Sequence, residues 1–280
     1  MNGTVQKKKR VKPYSVGSFQ KLIYDHYGKH GRSLPWRKTR NPYYILVSEI
    51  MLQQTQVDRV VDKYLQFVAL FPDIETLARS PLHEILKVWQ GLGYNRRALA
   101  LKRIALMVVE EHKGQVPRSL DELVKLPGIG KNTASAIMAY AFNQPAAFIE
   151  TNVRSVFIHC FFPERDTVSD EEILPLVSKM LDRTNPRQWY SALMDYGTVL
   201  KKIHANPGRK SSHYFRQSPF DGSNRQIRGR IVRFLTRRLQ SSEEKIAEHL
   251  GLPLERVSHI LLALEKEGLL TRRGKRLAIA

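Results

Sequence analysis

Residues 47–57, VSEIMLQQTQV, carry a single ionisable group, Glu49, among apolar residues and three glutamines, Gln53, Gln54 and Gln56. The stretch reads as a helix. A surface helix would mix lysine and glutamate into those polar positions. Desolvation disfavours the charged form of a carboxyl, and no cation within the stretch opposes it, so Glu49 can be kept protonated. The glutamines supply hydrogen bonds without charge. A second carboxylate, Glu150, stands in FIETNVRSV (148–156), after an apolar run and at the start of a helix. The dipole of that helix favours an anion, so Glu150 is expected to stay ionised. Taken alone, each has an ordinary reading as well: Glu49 as a solvated helix side chain, Glu150 as an N-terminal cap.

Between the two carboxylates lies LPGIGKNTASAI, residues 126–137. A helix over 119–126 ends, Gly128 and Gly130 bracket one apolar residue, and a second helix begins at Lys131. Glycines let backbone approach a phosphate closely, because no Cβ intervenes. The N–H groups at the start of the next helix then point at that phosphate, with the dipole behind them and Lys131 alongside. This is a helix-hairpin-helix arrangement, which grips DNA without reading sequence. Two glycines at this spacing also describe a helix end followed by a turn. Leu126, Pro127 and the basic residue after the second glycine make the pattern more specific.

The elements that position these groups are mostly helical. Apolar residues recur at helical spacing over 43–68, 82–90, 98–112, 119–126, 131–142, 151–161, 171–182 and 187–202, and strand alternation is hardly visible. Turn chemistry separates them, in FPD, GLGY, KGQVP, FNQP, FFPERD and RTNPR. Residues 13–205 form this all-α body. Residues 206–224, rich in Gly, Pro, Ser and Asn, read as a linker. The tail from 225 reads as three helices and two short strands around Arg273-Gly274-Lys275, a winged-helix pattern with 254–266 as the groove helix. Within it, Ser241 and Glu244 are expected to form a capping box, with Gly251 as the stop. The tail suits DNA binding; the acids in and beside the groove helix, Glu255, Glu265 and Glu267, argue for the lesser alternative, a docking or dimerisation module.

The net charge is +20 over 280 residues. Residues 1–12 contribute +5 with no acid and read as a flexible basic arm; residues 225–280 carry 13 Lys and Arg against 6 Glu. Such a balance calls for a polyanionic partner, with nucleic acid the default. A hydrophobic fraction of 42% excludes a disordered chain. No apolar run is long enough to span a bilayer and the start does not resemble a signal peptide, so no membrane is expected and the location is cytoplasmic, on the nucleoid in a bacterium. One cysteine, Cys160, excludes an internal disulfide and a multi-cysteine metal site.

LPWRKTRNPYYILVSEIMLQQTQV, GLGYNRRA, LPGIGKNTASAI and IETNVRSV resemble, in order and spacing, the MutY-like adenine DNA glycosylases of the helix-hairpin-helix (endonuclease III) superfamily. The resemblance covers about residues 15–202. It implies a two-lobed, all-helical enzyme that extrudes adenine from double-stranded DNA and cleaves its bond to deoxyribose, acting on a mispair with 8-oxoguanine or guanine. It makes Glu49 the general acid and Glu150 the anion facing the oxocarbenium ion. It places Gln54 as a wedge in the base stack, Tyr94 beside the opposite base, Arg37 near the adenine pocket, and Asn152 as the usual neighbour of the second carboxylate. Gln53 belongs to the same signature.

Four features set this chain apart or sort it within the superfamily. The family's second carboxylate is an aspartate, so Glu150 carries its charge on a longer stem. The four cysteines that hold an iron–sulfur cluster are missing, with Lys201 where the first would fall and His204 and His213 as polar loop residues; no metal and no cofactor are expected. The domain that recognises 8-oxoguanine is replaced by the winged-helix-like tail. Asn132 stands where bifunctional relatives place a Schiff-base lysine, so no lyase activity is expected. The expected protein is a monomeric, monofunctional DNA glycosylase. A thymine or uracil mismatch glycosylase on the same scaffold is one alternative, and a non-catalytic winged-helix DNA-binding or regulatory protein the other.

Overall fold

The computed structural model describes residues 14–280; the arm expected over 1–12 lies outside the described residues. The order of helices is α1 (Val16–His30), α2 (Pro42–Leu52), α3 (Val57–Leu70), α4 (Ile74–Arg79), α5 (Leu82–Trp89), α6 (Arg96–Glu111), α7 (Leu120–Leu123), α8 (Lys131–Phe142), α9 (Thr151–Phe161), α10 (Asp170–Met180), α11 (Pro186–Ile203), α12 (Asn224–Arg238), α13 (Glu243–Leu250) and α14 (Leu254–Lys266). Two 3-10 turns, Pro35–Arg37 and Pro207–Lys210, and three short strands, β1 (Gln240–Ser241), β2 (Leu270–Arg273) and β3 (Arg276–Ile279), accompany them. The fold is all-α, as expected. Among the described residues no helix is long and apolar enough to cross a membrane. The chain forms two compact units, each built from two stretches of sequence.

One unit takes the residues up to Arg32 together with Asn143–Phe215. Here α1, α9, α10 and α11 bury Phe19, Ile23, Val153, Phe157, Trp189 and Tyr190. Phe19 meets Phe157 and Trp189 edge to face, at centroid distances of 5.3 and 5.8 Å. Helix α9 lies closest to α11, and a Cβ at Gly197 of α11 would stand 2.6 Å from the Asn152 carbonyl oxygen. The segment expected as a linker starts inside this unit. Pro207 and Gly208 are buried against α9, Val168 N–H donates to Lys210 O (2.8 Å), and Val168 bridges to Ser211.

The other unit takes Ser33–Phe142 and Arg216–Ala280, so α12–α14 share a core with α2–α8. Ile227, Ile231, Val232 and Leu235 of α12 lie in the same buried cluster as Ile85, Leu86 and Trp89 of α5. Gln90 Nε2 donates to Thr236 Oγ1 across that contact (2.9 Å). The strands form an antiparallel sheet in the order β1-β3-β2. Two expectations are corrected. The run 43–68 is two helices, broken at Gln53–Gln56. The cap of α13 is Ser242, which accepts from Lys245 N–H; Ser241 is extended in β1 opposite Leu277 and makes no capping box. Gly251 does stop α13, in the left-handed region at φ 63°.

Candidate active site

Helix α2 starts where Asn41 accepts from Tyr43 N–H (2.9 Å) and Pro42 presets the first turn. Seven of its eleven residues are buried, so it has almost no solvent face. Glu49 sits half-buried between Ser48, fully buried with its Oγ donating to Ile45 O (2.8 Å), and buried Ile50. Glu49 is the one acidic or basic side chain on this mostly buried helix. Arg37, half-buried, ends the 3-10 turn that precedes α2.

The helix stops at Leu52 because a buried arginine gathers its free carbonyls. Arg97 Nη1 donates to Ile50 O (3.0 Å), Met51 O (2.8 Å) and Gln53 O; its Nη2 donates to Thr55 Oγ1 (2.9 Å), Leu92 O (3.3 Å) and Gly93 O (3.2 Å). Its guanidinium also lies 5.5 Å from the Trp89 and Tyr94 ring centroids. Burial pulls Arg97 down to about 10, with Tyr94 opposing. Arg97 thus joins the glutamine turn to the GLGY loop. Sequence reasoning missed this residue; the only signal was its place in GLGYNRRA. Each joined loop carries one strained residue: exposed Gln54 at φ 53° and half-buried Tyr94 at φ 47°. Such backbone in a non-glycine residue costs on the order of 1 kcal/mol and needs support from its surroundings. Tyr94 Oη accepts from Gln217 Nε2 and from Arg225 Nη1 (3.3 Å), so the tail reaches the GLGY loop.

The hairpin adjoins the same turn. Gln53 Nε2 donates to Gly128 O (3.3 Å) and Thr133 Oγ1 (3.3 Å), tying the end of α2 to the start of α8. Gly128 has φ 79°, and a Cβ there would stand 3.1 Å from Ala100 Cβ. Leu126 is buried and anchors the loop, while Gly130, Lys131 and Asn132 are exposed at the first turn of α8. The first N–H groups of a helix have no partner within it, so this surface suits an anion. Beside it a cavity of about 340 Å³ is lined by Gln53, Gly128, Arg96, Arg103 and Glu267, among others.

Glu150 and Asn152 belong to the other unit. Glu150 caps α9: its Oε1 accepts from Asn152 N–H (2.8 Å) and Val153 N–H (3.2 Å). Burial nevertheless raises this carboxyl above the ordinary glutamate value; the two N–H groups, Lys201 and Arg154 oppose the rise. The helix start thus favours the anion against the cost of burial. Lys201 Nζ donates to Asn152 Oδ1 (2.8 Å). Cys160 is buried on α9, and burial pushes its thiol up to about 12. A cubane cluster needs four thiolates, so the residues present do not fit one. The His204 ring lies tilted against His159 at a centroid distance of 4.8 Å, and His213 N–H donates to Ser211 Oγ (3.1 Å).

Residues 47–179, which include both carboxylates and the hairpin, match the family described as HhH-GPD superfamily base excision DNA repair protein. The adenine DNA glycosylase of Buchnera aphidicola subsp. Baizongia pistaciae is 38% identical over 66% of this chain and 52% of its own length. The human adenine DNA glycosylase is 33% identical over 66% of this chain and 36% of its own. This chain therefore spans about half the length of the first relative and less of the second. Among solved structures, a thermostable thymine-DNA glycosylase is 28% identical with TM-score 0.61, covering 69% of this chain and 90% of that one. An endonuclease III–DNA covalent intermediate, 22% identical with TM-score 0.53, shares the fold over 74% of this chain and 91% of that one.

Proposed function

From the HhH-GPD base excision repair domain that this chain carries, we propose that it is a monofunctional DNA glycosylase that hydrolyses the bond between deoxyribose and an adenine mispaired with 8-oxoguanine or guanine. The observation that carries the reading is the joint presence of Glu49, Glu150 and the hairpin within the matched segment, alongside 38% identity to an adenine DNA glycosylase. In the reaction, Glu49 gives its proton to a ring nitrogen of the leaving adenine, and the base departs with the bonding electrons. Positive charge develops on the sugar, and the Glu150 carboxylate stabilises it. Water adds to the sugar carbon and loses a proton, leaving an abasic site. Gln54 and Tyr94 support the extruded state, each from a strained loop braced by Arg97. Lys131 and the first N–H groups of α8 hold a phosphate.

With Asn132 in place of a lysine, no Schiff base forms, so borohydride should trap little protein on DNA. Without a cluster, purified protein should be colourless; stoichiometric iron in a clean preparation would contradict that. The deciding experiment incubates the protein with duplexes bearing A·8-oxoG, A·G, T·G, U·G and hypoxanthine pairs, then treats them with alkali to reveal abasic sites. Strand breaks confined to the adenine duplexes support the reading. A second reading, removal of thymine or uracil opposite guanine, rests on the likeness to the thymine-DNA glycosylase. Breaks in the T·G and U·G duplexes alone would establish it instead.

A further inference from the structure

We propose that Lys201 is a positioning residue for Glu150: it holds Asn152, whose backbone N–H binds the carboxylate, and its charge favours the anion. This rests on the reading of Glu150 as the anion that faces the sugar. Helix α11 turns three residues at helical spacing, Met194, Gly197 and Lys201, towards Asn152. The Met194 Sδ accepts from Asn152 Nδ2 (3.8 Å), Gly197 admits the Asn152 carbonyl where a Cβ would stand 2.6 Å away, and Lys201 Nζ donates to Asn152 Oδ1 (2.8 Å). Asn152 N–H in turn donates to Glu150 Oε1 (2.8 Å). The residue that orients the carboxylate is thus fixed at its backbone and at both ends of its amide.

Lys201 is half-buried, and an ammonium withdrawn from water needs compensation. Burial lowers its pKa and Glu150 raises it; the same charge opposes the upward push on Glu150. The other charges around α9 are paired among themselves or face solvent. Arg154, on α9 itself, forms a bidentate pair with Asp170 of α10 (2.7 and 2.6 Å). Asp195 of α11 is held by Arg32 (2.6 Å). On the Pro207–Lys210 turn, Arg209 is exposed and Lys210 Nζ donates to Pro163 O (2.9 Å). Farther along, the His159 and His204 rings meet at a tilt. Lys201 is the cation near Glu150 whose charge no other carboxylate answers among the described residues.

The test measures single-turnover cleavage of an A·8-oxoG duplex at saturating enzyme, from acid to alkaline pH, in Lys201→Arg, Lys201→Gln and Lys201→Met, with Glu150→Gln as control and thermal melting to confirm folding. Removing a cation makes a carboxylate harder to form. The acid limb should therefore move to higher pH by about one unit in Lys201→Gln and Lys201→Met. Below the limb this slows cleavage about tenfold, with recovery in alkali. Lys201→Arg should keep the original limb. An unaltered profile in Lys201→Met, with Glu150→Gln inactive, overturns this inference and leaves the role of Glu150 standing. A loss equal at every pH and equal in Lys201→Arg assigns Lys201 to packing and overturns it too. Full activity in Glu150→Gln removes both.

Discussion

The two carboxylates proposed as proton donor and anion sit in different local settings. Glu49 is half-buried on a helix most of whose residues are buried, while Glu150 accepts from two backbone N–H groups at the start of α9, with the Lys201 charge favouring its anion. Glu49→Gln keeps the shape and loses the proton, so cleavage should fall at least about a hundredfold while mispair binding survives; unchanged cleavage would exclude Glu49 as the acid. Glu150→Asp reads the length of the stem. If Lys201 and Asn152 are fitted to a glutamate, withdrawing the charge by about one bond slows the reaction; aspartate equal to or faster than glutamate would mark the longer stem as merely tolerated. The raised Glu150 carboxyl also sets stability against activity. Its contribution to stability is fully present below the ordinary glutamate value and is lost as pH rises through the raised one, whereas the proposed role as anion has activity grow over that interval. The sequence offered both carboxylates as candidates through residue type and spacing, and both lie within the matched segment. Arg97 was not: its carbonyl partners lie at 50–53 and 92–93, and only the fold brings those stretches to one guanidinium.

At the scale of elements, the helices with a clear apolar period were legible, and the breaks between them less so. The run 43–68 keeps its apolar spacing through the glutamines, yet the backbone turns at Gln54 because Arg97 satisfies the carbonyls that a continuing helix would have used. Ser241 and Ser242 offer the same side chain, and strand pairing with Leu277 decides between them. Arg97→Leu fills the space but leaves buried carbonyls unpartnered, each costing about 1–3 kcal/mol. A loss of about 3 kcal/mol or more in denaturant unfolding is expected, together with loss of activity as Gln54 and Tyr94 are released. Stability within about 0.5 kcal/mol of the original would show that those carbonyls find other partners. Gly197→Ala tests the α9–α11 contact separately. Its Cβ would meet backbone that cannot swing aside, so Asn152 must move and both stability and cleavage should decline.

Over the whole molecule, composition spoke for a nucleic-acid partner and left open what the basic tail does. The tail is not a hung-on module, because α12 buries Ile227, Ile231 and Leu235 in the core that α5 shares. Cutting it away would expose that face and report on folding, so its part in binding is better read by neutralising charge at the surface. Of the acids at 255, 265 and 267 in and beside the groove helix, two are engaged within the unit: Glu265 accepts from Arg272 Nε (3.0 Å), and Glu267 pairs with Arg228. Arg273, Lys275 and Arg276, on and beside the wing tip, remain exposed. If they reach phosphates, the triple glutamine variant should weaken binding to matched and mispaired duplexes alike. It should also flatten the dependence of log K on log salt by about 0.9 for each phosphate no longer neutralised. Its single-turnover rate at saturating enzyme should be unchanged, since these charges act before the base is cleaved. A slope equal to that of the unaltered protein would take the wing off the DNA, and an altered rate at saturation would instead tie it to recognition of the lesion.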